Sequence, residues 1–339
     1  MKTTLSYLTR FAAVAALLGT AATATAETQL TGAGASFPAP LYQRWAQEFT
    51  KENPDIQVNY QSIGSGAGIK QFTAGTVNFG ASDAAMKDEE ISQVKRGAVM
   101  IPATAGSIVV TYNLPSFPNL QLSREAYVDI FLGKITNWSD DAIAKSNPNK
   151  ELPDMDIIVC TRSDGSGTTF VFTKHLASIS EDFNTEVGEG KSVTWPSGVA
   201  GKGNEGVTAL VKQTPGAVGY VEYGYAKNNG LEMASLENKS GEYVAPTDES
   251  ATATLASVEL PENLRIWPSD PTGKGDYPIV TFTWLLVYGE YPDATIGDAV
   301  KKFVEFGLTT GQQFAPELGY VQLPKEVVEK SMAALATVK

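Results

Sequence analysis

Cysteine and histidine are nearly absent from this sequence of 339 residues, which contains one of each, Cys160 and His175. A single cysteine cannot form a disulfide within the chain, so a small disulfide-stapled fold is excluded. Cys160 follows the apolar residues Ile157 to Val159, a pattern more typical of a buried, inert thiol on a strand than of a reactive one. No cluster of His, Cys and Asp occurs at metal-ligand spacing, and we expect neither a metal ion nor a cofactor.

Basic residues are also scarce, with 26 Lys and Arg against 38 Asp and Glu and a formal net charge of −12. So acidic a chain lacks the basic surface that nucleic-acid binding requires, and we expect no nucleic-acid partner. A site for an anion would have to be built from local donors, because the net field of the protein repels anions.

Long apolar segments are missing beyond the N-terminus. Residues 1–26 have the features of a cleaved signal peptide, with two basic residues, a short apolar run from Phe11 to Leu18, and small residues at Ala24 and Ala26. The alternative is an N-terminal helix that stays on the domain. The run is shorter than the roughly 20 residues that span a bilayer, so no transmembrane helix is expected in the mature chain. Since no cysteine stands at the cleavage point to carry a lipid, we predict a monomer free in the periplasm of a Gram-negative-type envelope.

Strand and helix patterns alternate along the remaining 313 residues, enough for two α/β lobes with a cleft between them. A strand pattern from Ile56 to Tyr60 follows helical spacing from Leu41 to Phe49, which indicates a βαβ opening. Further strands are predicted at Val77–Ala81, Ser107–Tyr112, Asp156–Cys160, Ala217–Val221 and Ile279–Val287, and helices at Asp88–Arg96, Arg124–Leu132, Thr168–Ile179, Gly206–Gln213, Ile296–Phe306 and Lys325–Leu335. The segment from Glu232 to Pro278 is predicted as long surface loops with one short helix near Glu249 to Ser257 and no functional site.

Four segments rich in glycine and hydroxyl residues lie where predicted strands end or predicted helices begin. They are Thr31–Pro38 (TGAGASFP), Ser62–Gly68 (SIGSGAG), Gly80–Ala84 (GASDA) and Arg162–Thr168 (RSDGSGT). Glycine permits close backbone approach, and a helix N-terminus offers unpaired N–H groups and about half a positive charge, so such loops can bind an anion. Alternatively, Ser36, Ser65 and Ser166 serve only as helix N-caps and the glycines only as turns. Four such loops at the carboxyl ends of strands favour a shared site, and none matches a Walker A or GxGxxG pattern.

Arg162 is the only basic residue inside these four segments, and Asp164 follows it two positions later. A guanidinium is always charged and offers paired donors to an oxyanion, while a neighbouring carboxylate can fix its orientation. The alternative is a surface salt bridge between the two side chains. The Gly-Ser-Gly-Thr run that ends at Thr168 and opens a helix favours the anion site.

Six motifs occur in a fixed order between Thr31 and Tyr223. They are TGAGASFPAPLY, YQSIGSGAG, FGASD, DGSGT, WP followed by GKGN, and GAVGYVEY. This ordered set resembles the periplasmic phosphate-binding protein of the bacterial high-affinity phosphate ABC transporter, and the resemblance covers essentially the whole mature chain, from Leu30 to about Val328.

The resemblance implies a two-lobed periplasmic binding fold that closes over one dehydrated inorganic phosphate in the cleft between the lobes. The first lobe is expected to comprise residues 27–103 and 278–339, and the second residues 104–277, with crossovers near Pro102–Ser107 and Gly275–Ile279. The membrane permease subunits of the phosphate ABC transporter would be its protein partners, and no catalysis is implied.

The same resemblance implies roles for individual residues. The hydroxyls of Ser36 and Ser65 would donate to phosphate and Asp83 would accept the phosphate proton. Arg162, held by Asp164, would supply the charged donor. The implied phosphate-binding set is Ala35, Ser36, Phe37, Ser65, Asp83, Arg162, Ser166, Gly167 and Thr168, supported by Asp164. Gly66–Gly68 departs from the Ser-Gly-Gly run common in the family, which leaves the backbone contacts there open.

An aspartate repels an anion unless it accepts a hydrogen bond from it, so Asp83 requires a ligand that carries a proton. Phosphate does so at neutral pH and sulfate does not, which predicts discrimination between the two. A binding protein for another oxyanion is an alternative.

An enzyme, either a secreted phosphatase or a serine hydrolase, is the alternative of a different class. His175 lies mid-helix, about two turns beyond Thr168, where a packed or solvated residue is more typical than a catalytic base. Ser166 stands in Asp-Gly-Ser-Gly-Thr rather than in the Gly-x-Ser-x-Gly of a nucleophile elbow. The residues therefore favour binding without catalysis.

Overall fold

The computed structural model of the chain describes residues 28–339, so the predicted signal peptide lies outside the described residues. The principal strands are β1 (Thr28–Gly34), β2 (Ile56–Ser62), β3 (Phe79–Ser82), β4 (Ala98–Tyr112), β5 (Gln121–Leu122), β6 (Ile158–Arg162), β7 (Val199–Gly201), β8 (Ala217–Glu222), β9 (Glu232–Met233), β10 (Ser235–Glu237), β11 (Tyr243–Val244) and β12 (Val280–Tyr288). The α-helices are α1 (Ala39–Glu52), α2 (Ser65–Ala74), α3 (Asp88–Ser92), α4 (Arg124–Phe131), α5 (Asp141–Ser146), α6 (Gly167–Ile179), α7 (Glu181–Glu186), α8 (Gly203–Gln213), α9 (Tyr223–Asn228), α10 (Asp248–Ala256), α11 (Ala294–Leu308), α12 (Ala315–Leu318) and α13 (Lys325–Leu335). The α/β class predicted from the sequence is confirmed.

One long strand, β4, connects two half-sheets in the strand order β2-β1-β3-β12-β4-β8-β6-β7. The first part of β4 pairs antiparallel with β12 as far as Ser107, and its last part pairs antiparallel with β8 from Ile108 onward. We call β2, β1, β3, β12 and the first part of β4 the first half-sheet, and the last part of β4, β8, β6 and β7 the second half-sheet. In the first, β1 lies between β2 and β3 and runs parallel to both, so all three end at the same sheet edge.

Helices cover both half-sheets because their apolar residues recur at helical spacing. On α1, Leu41, Tyr42, Trp45 and Phe49 are all buried, and the indole of Trp45 donates to the Gly311 carbonyl at 2.8 Å. Helices α2 and α11 also pack on the first half-sheet, and α8 packs on β6 and β8 of the second. Every residue of β12 is buried, as expected for a central strand covered on both faces. No helix within residues 28–339 is long and apolar enough to cross a membrane.

Strand β4 is much longer than the predicted Ser107–Tyr112, because it begins at Ala98. Pro102 and Gly106 interrupt the strand pattern in the sequence, and proline cannot donate a ladder hydrogen bond. A register shift in β12 at Thr283 and Trp284, opposite Pro102, accommodates the proline within the ladder.

Two other expectations need correction. The helix predicted at Asp88–Arg96 ends at Ser92, and the chain turns at Gly97, with φ of 70°, into β4. In the segment from Glu232 to Pro278 the short helix is confirmed as α10, but the description as surface loops is wrong in part. Leu236, Leu255 and Tyr277 are buried there. In this segment β9 pairs with the last part of β4, and β10 pairs with β11.

Candidate functional site

Three of the four glycine-rich segments lie side by side, because they follow the adjacent parallel strands β2, β1 and β3. The fourth follows β6 in the second half-sheet and meets the other three across the molecule. The Gly66 N–H donates to the Gly165 carbonyl at 2.7 Å. A Cβ atom placed on Gly167 would overlap Ser65 Oγ and lie 2.6 Å from Asp83 Oδ2. The structure therefore brings the four segments together, as the sequence predicted.

Ala35, Ser36 and Phe37 form the turn between β1 and α1, and all three are buried. The Ala35 N–H donates to the Ala81 carbonyl at 3.0 Å, so it is already used within the protein. The carbonyl of Ser36 accepts from Tyr225 Oη and that of Phe37 from Tyr320 Oη, both at 2.7 Å. The N-cap of α1 is Pro38, so the alternative in which Ser36 serves only as that cap is wrong.

The side chains of Ser65 and Asp83 are in contact. Ser65 Oγ lies 3.4 Å from Asp83 Oδ2 and accepts from the Asp83 N–H at 3.2 Å. The other carboxylate oxygen, Oδ1, accepts from Thr283 Oγ1 at 2.7 Å. Thr283 lies on the central strand β12, 200 residues from Asp83, and the loop motifs gave no signal for it. One oxygen of Asp83 is thereby anchored, and the other faces Ser65 and the start of α6.

Burial, which disfavours the charged form, raises the pKa of Asp83 to about 7. The hydrogen bond from Thr283, the positive charge of Arg162 and the hydrogen bond from Ser65 oppose this shift. The negative charge of Asp164 adds to it. Asp83 is therefore placed to share a proton near neutral pH, which an exposed aspartate could not do.

Arg162 ends β6 and forms a paired interaction with Asp164, in which Nε donates to Oδ1 at 2.8 Å and Nη2 donates to Oδ2 at 2.6 Å. The Arg162 side chain is 1% exposed and the Asp164 side chain 11%, so the alternative of a surface salt bridge is wrong. Asp164 Oδ1 also accepts from the Gly203 N–H at 3.0 Å. The remaining nitrogen, Arg162 Nη1, is buried and has no hydrogen-bond partner among residues 28–339.

Asp164 keeps the guanidinium in place because it remains ionised. Its burial alone would raise its pKa, but the hydrogen bonds and charge of Arg162, together with the Gly203 N–H, hold the pKa below the usual value. A Cβ on Gly64, whose φ is 86°, would overlap Asp164 Oδ2, so the second glycine loop also packs against this carboxylate.

Helix α6 begins at Gly167, and Ser166 is its N-cap, with Ser166 Oγ accepting from the Thr169 N–H at 2.9 Å. Ser166 therefore does serve as a cap, which does not exclude a second role. The Thr168 hydroxyl is buried one residue into the helix. A helix N-terminus directed at the cluster adds partial positive charge to that of Arg162.

Asn204 and Glu222 also belong to this region, and residue-by-residue reasoning from the sequence missed both. Asn204 closes the GKGN motif at the start of α8, and its backbone and side-chain N–H groups both donate to Ser36 Oγ. Glu222 ends β8 and is fully buried, and this burial raises its pKa well above the usual value. The motifs GKGN and GYVEY contain these two residues, but a motif does not show which of its atoms face the site.

The cluster can bind an oxyanion, because it combines one buried guanidinium, hydroxyl donors and a helix N-terminus with a single proton-sharing carboxyl group. Within residues 28–339 no three His, Cys, Asp or Glu side chains are grouped so as to hold a metal ion. His175 is buried, its Nε2 lies 3.0 Å from Tyr127 Oη, and burial lowers its pKa to about 4. Cys160 is buried on β6, where burial raises the pKa of its thiol to about 11, as predicted for an inert thiol.

Known proteins resemble this chain over most of its length. The profile of the PBP superfamily domain matches residues 19–310. The phosphate-binding protein PstS of Pasteurella multocida is 44% identical over 328 residues, 96% of this chain and 94% of that protein. PstS of Haemophilus influenzae is 45% identical over 305 residues, 88% and 90% of the two chains. The solved phosphate-binding protein of Stenotrophomonas maltophilia has a TM-score of 0.70 at 23% identity, covers 91% of this chain and 94% of its own, and shares its fold.

Proposed function

Because the chain belongs to the PstS family of phosphate-binding proteins within the PBP superfamily, we propose that it binds inorganic phosphate and delivers it to an ABC-type importer. The proposed place of binding is the periplasm, where the predicted signal peptide would send the chain. The proposed protein partners are the membrane permease subunits of that importer, and the protein acts by capture and release without catalysis.

The main support for this proposal is the buried Arg162 guanidinium, one of whose nitrogens has no hydrogen-bond partner among residues 28–339. A buried cationic nitrogen without an acceptor is costly, and here Nη1 lacks one among the described residues although Asp164 satisfies the other two nitrogens. A tetrahedral oxyanion beside Ser65, Asp83 and the start of α6 would supply that acceptor.

In this proposal the hydroxyls of Ser36, Ser65 and Thr168 donate to phosphate oxygens, and Ser166 and Gly167 present the helix start. Asp83 accepts the one phosphate proton, which gives discrimination against sulfate. Phe37 contributes through its backbone. Ala35 forms part of the turn but donates no backbone hydrogen bond to phosphate, because its N–H already donates to the Ala81 carbonyl.

The two half-sheets are proposed to be the cores of the two lobes, comprising residues 27–103 with 278–339 and residues 104–277. The change of partner along β4 between Ser107 and Ile108 supports the first crossover, and the start of β12 at Val280 supports the second. The site then lies between the lobes, where hinge closure excludes water from the ligand.

The proposed function is tested by the anion that the purified protein carries. We expect about one inorganic phosphate per chain after denaturation and anion chromatography, and saturable phosphate binding by calorimetry after the anion is removed. If the protein neither retains phosphate on purification nor binds it by calorimetry, the proposal is refuted. Turnover of phosphoesters by the same preparation would instead favour the phosphatase alternative.

Replacing Gly167 with alanine tests the contact between the segments. The new Cβ would overlap Ser65 Oγ and crowd Asp83, so the segments could not approach as they do here. We expect Gly167→Ala to weaken phosphate binding by about a hundredfold or more, with a small effect on melting temperature, since alanine is favourable within a helix. Unchanged affinity by calorimetry would show that this close approach is not part of the binding-competent state.

A further inference from the structure

Asn204 is fully buried at the start of α8, and its bonds connect residues from three different segments. Its backbone N–H donates to Ser36 Oγ at 3.1 Å. Its side-chain Nδ2 donates to Ser36 Oγ at 2.9 Å and to Thr168 Oγ1 at 3.2 Å. Its side-chain Oδ1 accepts from the Glu222 N–H at 2.9 Å.

The last of these bonds fixes the orientation of the carboxamide. A backbone N–H needs an acceptor, so the atom facing Glu222 must be the oxygen, and the nitrogen must face the two hydroxyls. Rotating the amide by half a turn would place two N–H donors against the Glu222 N–H and remove the donor from Ser36 and Thr168.

This orientation determines what the hydroxyls can do. A hydroxyl has one hydrogen to donate and two lone pairs that accept. Both lone pairs of Ser36 Oγ are occupied by the two N–H groups of Asn204, and one lone pair of Thr168 Oγ1 is occupied by its Nδ2. Toward a ligand, Ser36 can therefore act only as a donor, and Thr168 is biased the same way.

We propose that Asn204 is a positioning residue that holds the Ser36 and Thr168 hydroxyls as donors, and so makes the site select a tetrahedral anion with acceptor oxygens at these positions. The proposal rests on the proposed function and extends it to a residue that does not itself contact the ligand. It also explains why the GKGN motif lies opposite the first glycine-rich segment.

The test is a double-mutant cycle measured by phosphate calorimetry on Asn204→Ala, Ser36→Ala and the double variant. We expect each single change to weaken phosphate binding about ten- to a hundredfold. The double variant should be weakened at least fivefold less than the product of the two single effects, because both act through one hydroxyl. Wild-type affinity in Asn204→Ala, or fully multiplicative effects, would overturn the proposal.

Asn204→Asp covers the case in which Asn204→Ala does not fold. It keeps the shape and the oxygen that accepts from Glu222, but it replaces the donor nitrogen with an acceptor, to which Ser36 would donate instead of to the ligand. We expect its phosphate affinity to be at least about tenfold weaker than that of wild type, and an affinity equal to wild type would overturn the proposal.

Asn113→Ala is the matched control. The Asn113 amide donates to the carbonyls of Val211 and Lys212 at 2.9 and 3.1 Å, on the far end of α8 from the site. Its loss should lower the melting temperature and leave phosphate affinity within about twofold of wild type. If wild-type protein itself fails to bind phosphate, the proposed function fails; if wild type binds and the cycle shows no coupling, only the role of Asn204 fails.

Discussion

Arsenate should displace phosphate from the protein at about pH 9, where Asp83 is ionised, whereas sulfate should need a concentration about a hundredfold higher. Arsenate and phosphate both still carry a proton at this pH that can be donated to Asp83, and sulfate has similar shape and charge but no proton. Asp83 and the nearest sulfate oxygen would face each other unbonded in a buried site. That arrangement is unfavourable wherever Asp83 is ionised, so the discrimination against sulfate should increase about tenfold per pH unit above the pKa of Asp83.

The structure adds a pH dependence to this expectation. Burial raises the pKa of Asp83 to about 7, so below that pH the carboxyl is protonated in the closed site and can itself donate to sulfate. Above it the carboxyl is ionised and repels sulfate. We therefore expect sulfate to compete better at about pH 5.5 than at about pH 8, while arsenate competes well at both.

Competition calorimetry on the unmodified protein tests whether Asp83 accepts the phosphate proton. If sulfate displaces phosphate at about pH 9 within about tenfold of the arsenate concentration required, Asp83 is not the proton acceptor, and the assignment of the site to phosphate must be withdrawn. Asp83→Asn is a supporting variant, because an amide can donate as well as accept. It should bind sulfate better than wild type does and lose the pH trend.

Removing the guanidinium in Arg162→Ala should weaken phosphate binding by at least about 2 kcal/mol, since it deletes a charged donor from a buried site. The change also leaves the carboxylate of Asp164 partly buried without its charged partner, so the melting temperature should fall. Arg162→Lys should recover part of the affinity, because an ammonium keeps the charge but lacks the paired donors.

Lys202→Ala is the control for this prediction. Lys202 is a basic residue in the GKGN motif, close in sequence to Gly203, but its side chain is exposed. Its removal should change phosphate affinity by no more than about twofold. Titration curves for Arg162→Ala that match those of wild type would remove Arg162 from the site, and a large effect of Lys202→Ala would show that general positive charge, rather than the fixed guanidinium, controls binding.

Several features of the site could be predicted from the sequence because they depend on local chemistry. The Gly-Ser-Gly-Thr run after Asp164 specifies a capped helix start, and the structure places the helix there, with Ser166 as its N-cap. The pairing of Arg162 with Asp164 follows from their spacing of two residues at the end of β6. The alternation of strands and helices predicted the α/β class for the same reason, since periodicity records which face of each element is buried.

Other features could not be predicted, because they depend on residues far apart in the chain. The sequence did not show that the side chains of Arg162 and Asp164 are largely buried, so a surface salt bridge between them remained an alternative interpretation of the sequence. Pro102 and Gly106 interrupt the strand pattern, so the full length of β4 could not be predicted. The strand is stabilised by its pairing with β12 and β8, which are distant in the sequence.

The sequence by itself determined the kinds of donors, their places at strand ends and helix starts, and the family to which the chain belongs. Tertiary structure decided what those donors can do. Thr283 reaches Asp83 from 200 residues away, and Asn204 reaches Ser36 from 168 residues away. The pKa of a carboxyl and the direction of a hydroxyl hydrogen depend on desolvation and on such distant partners, and neither is encoded by neighbours along the chain.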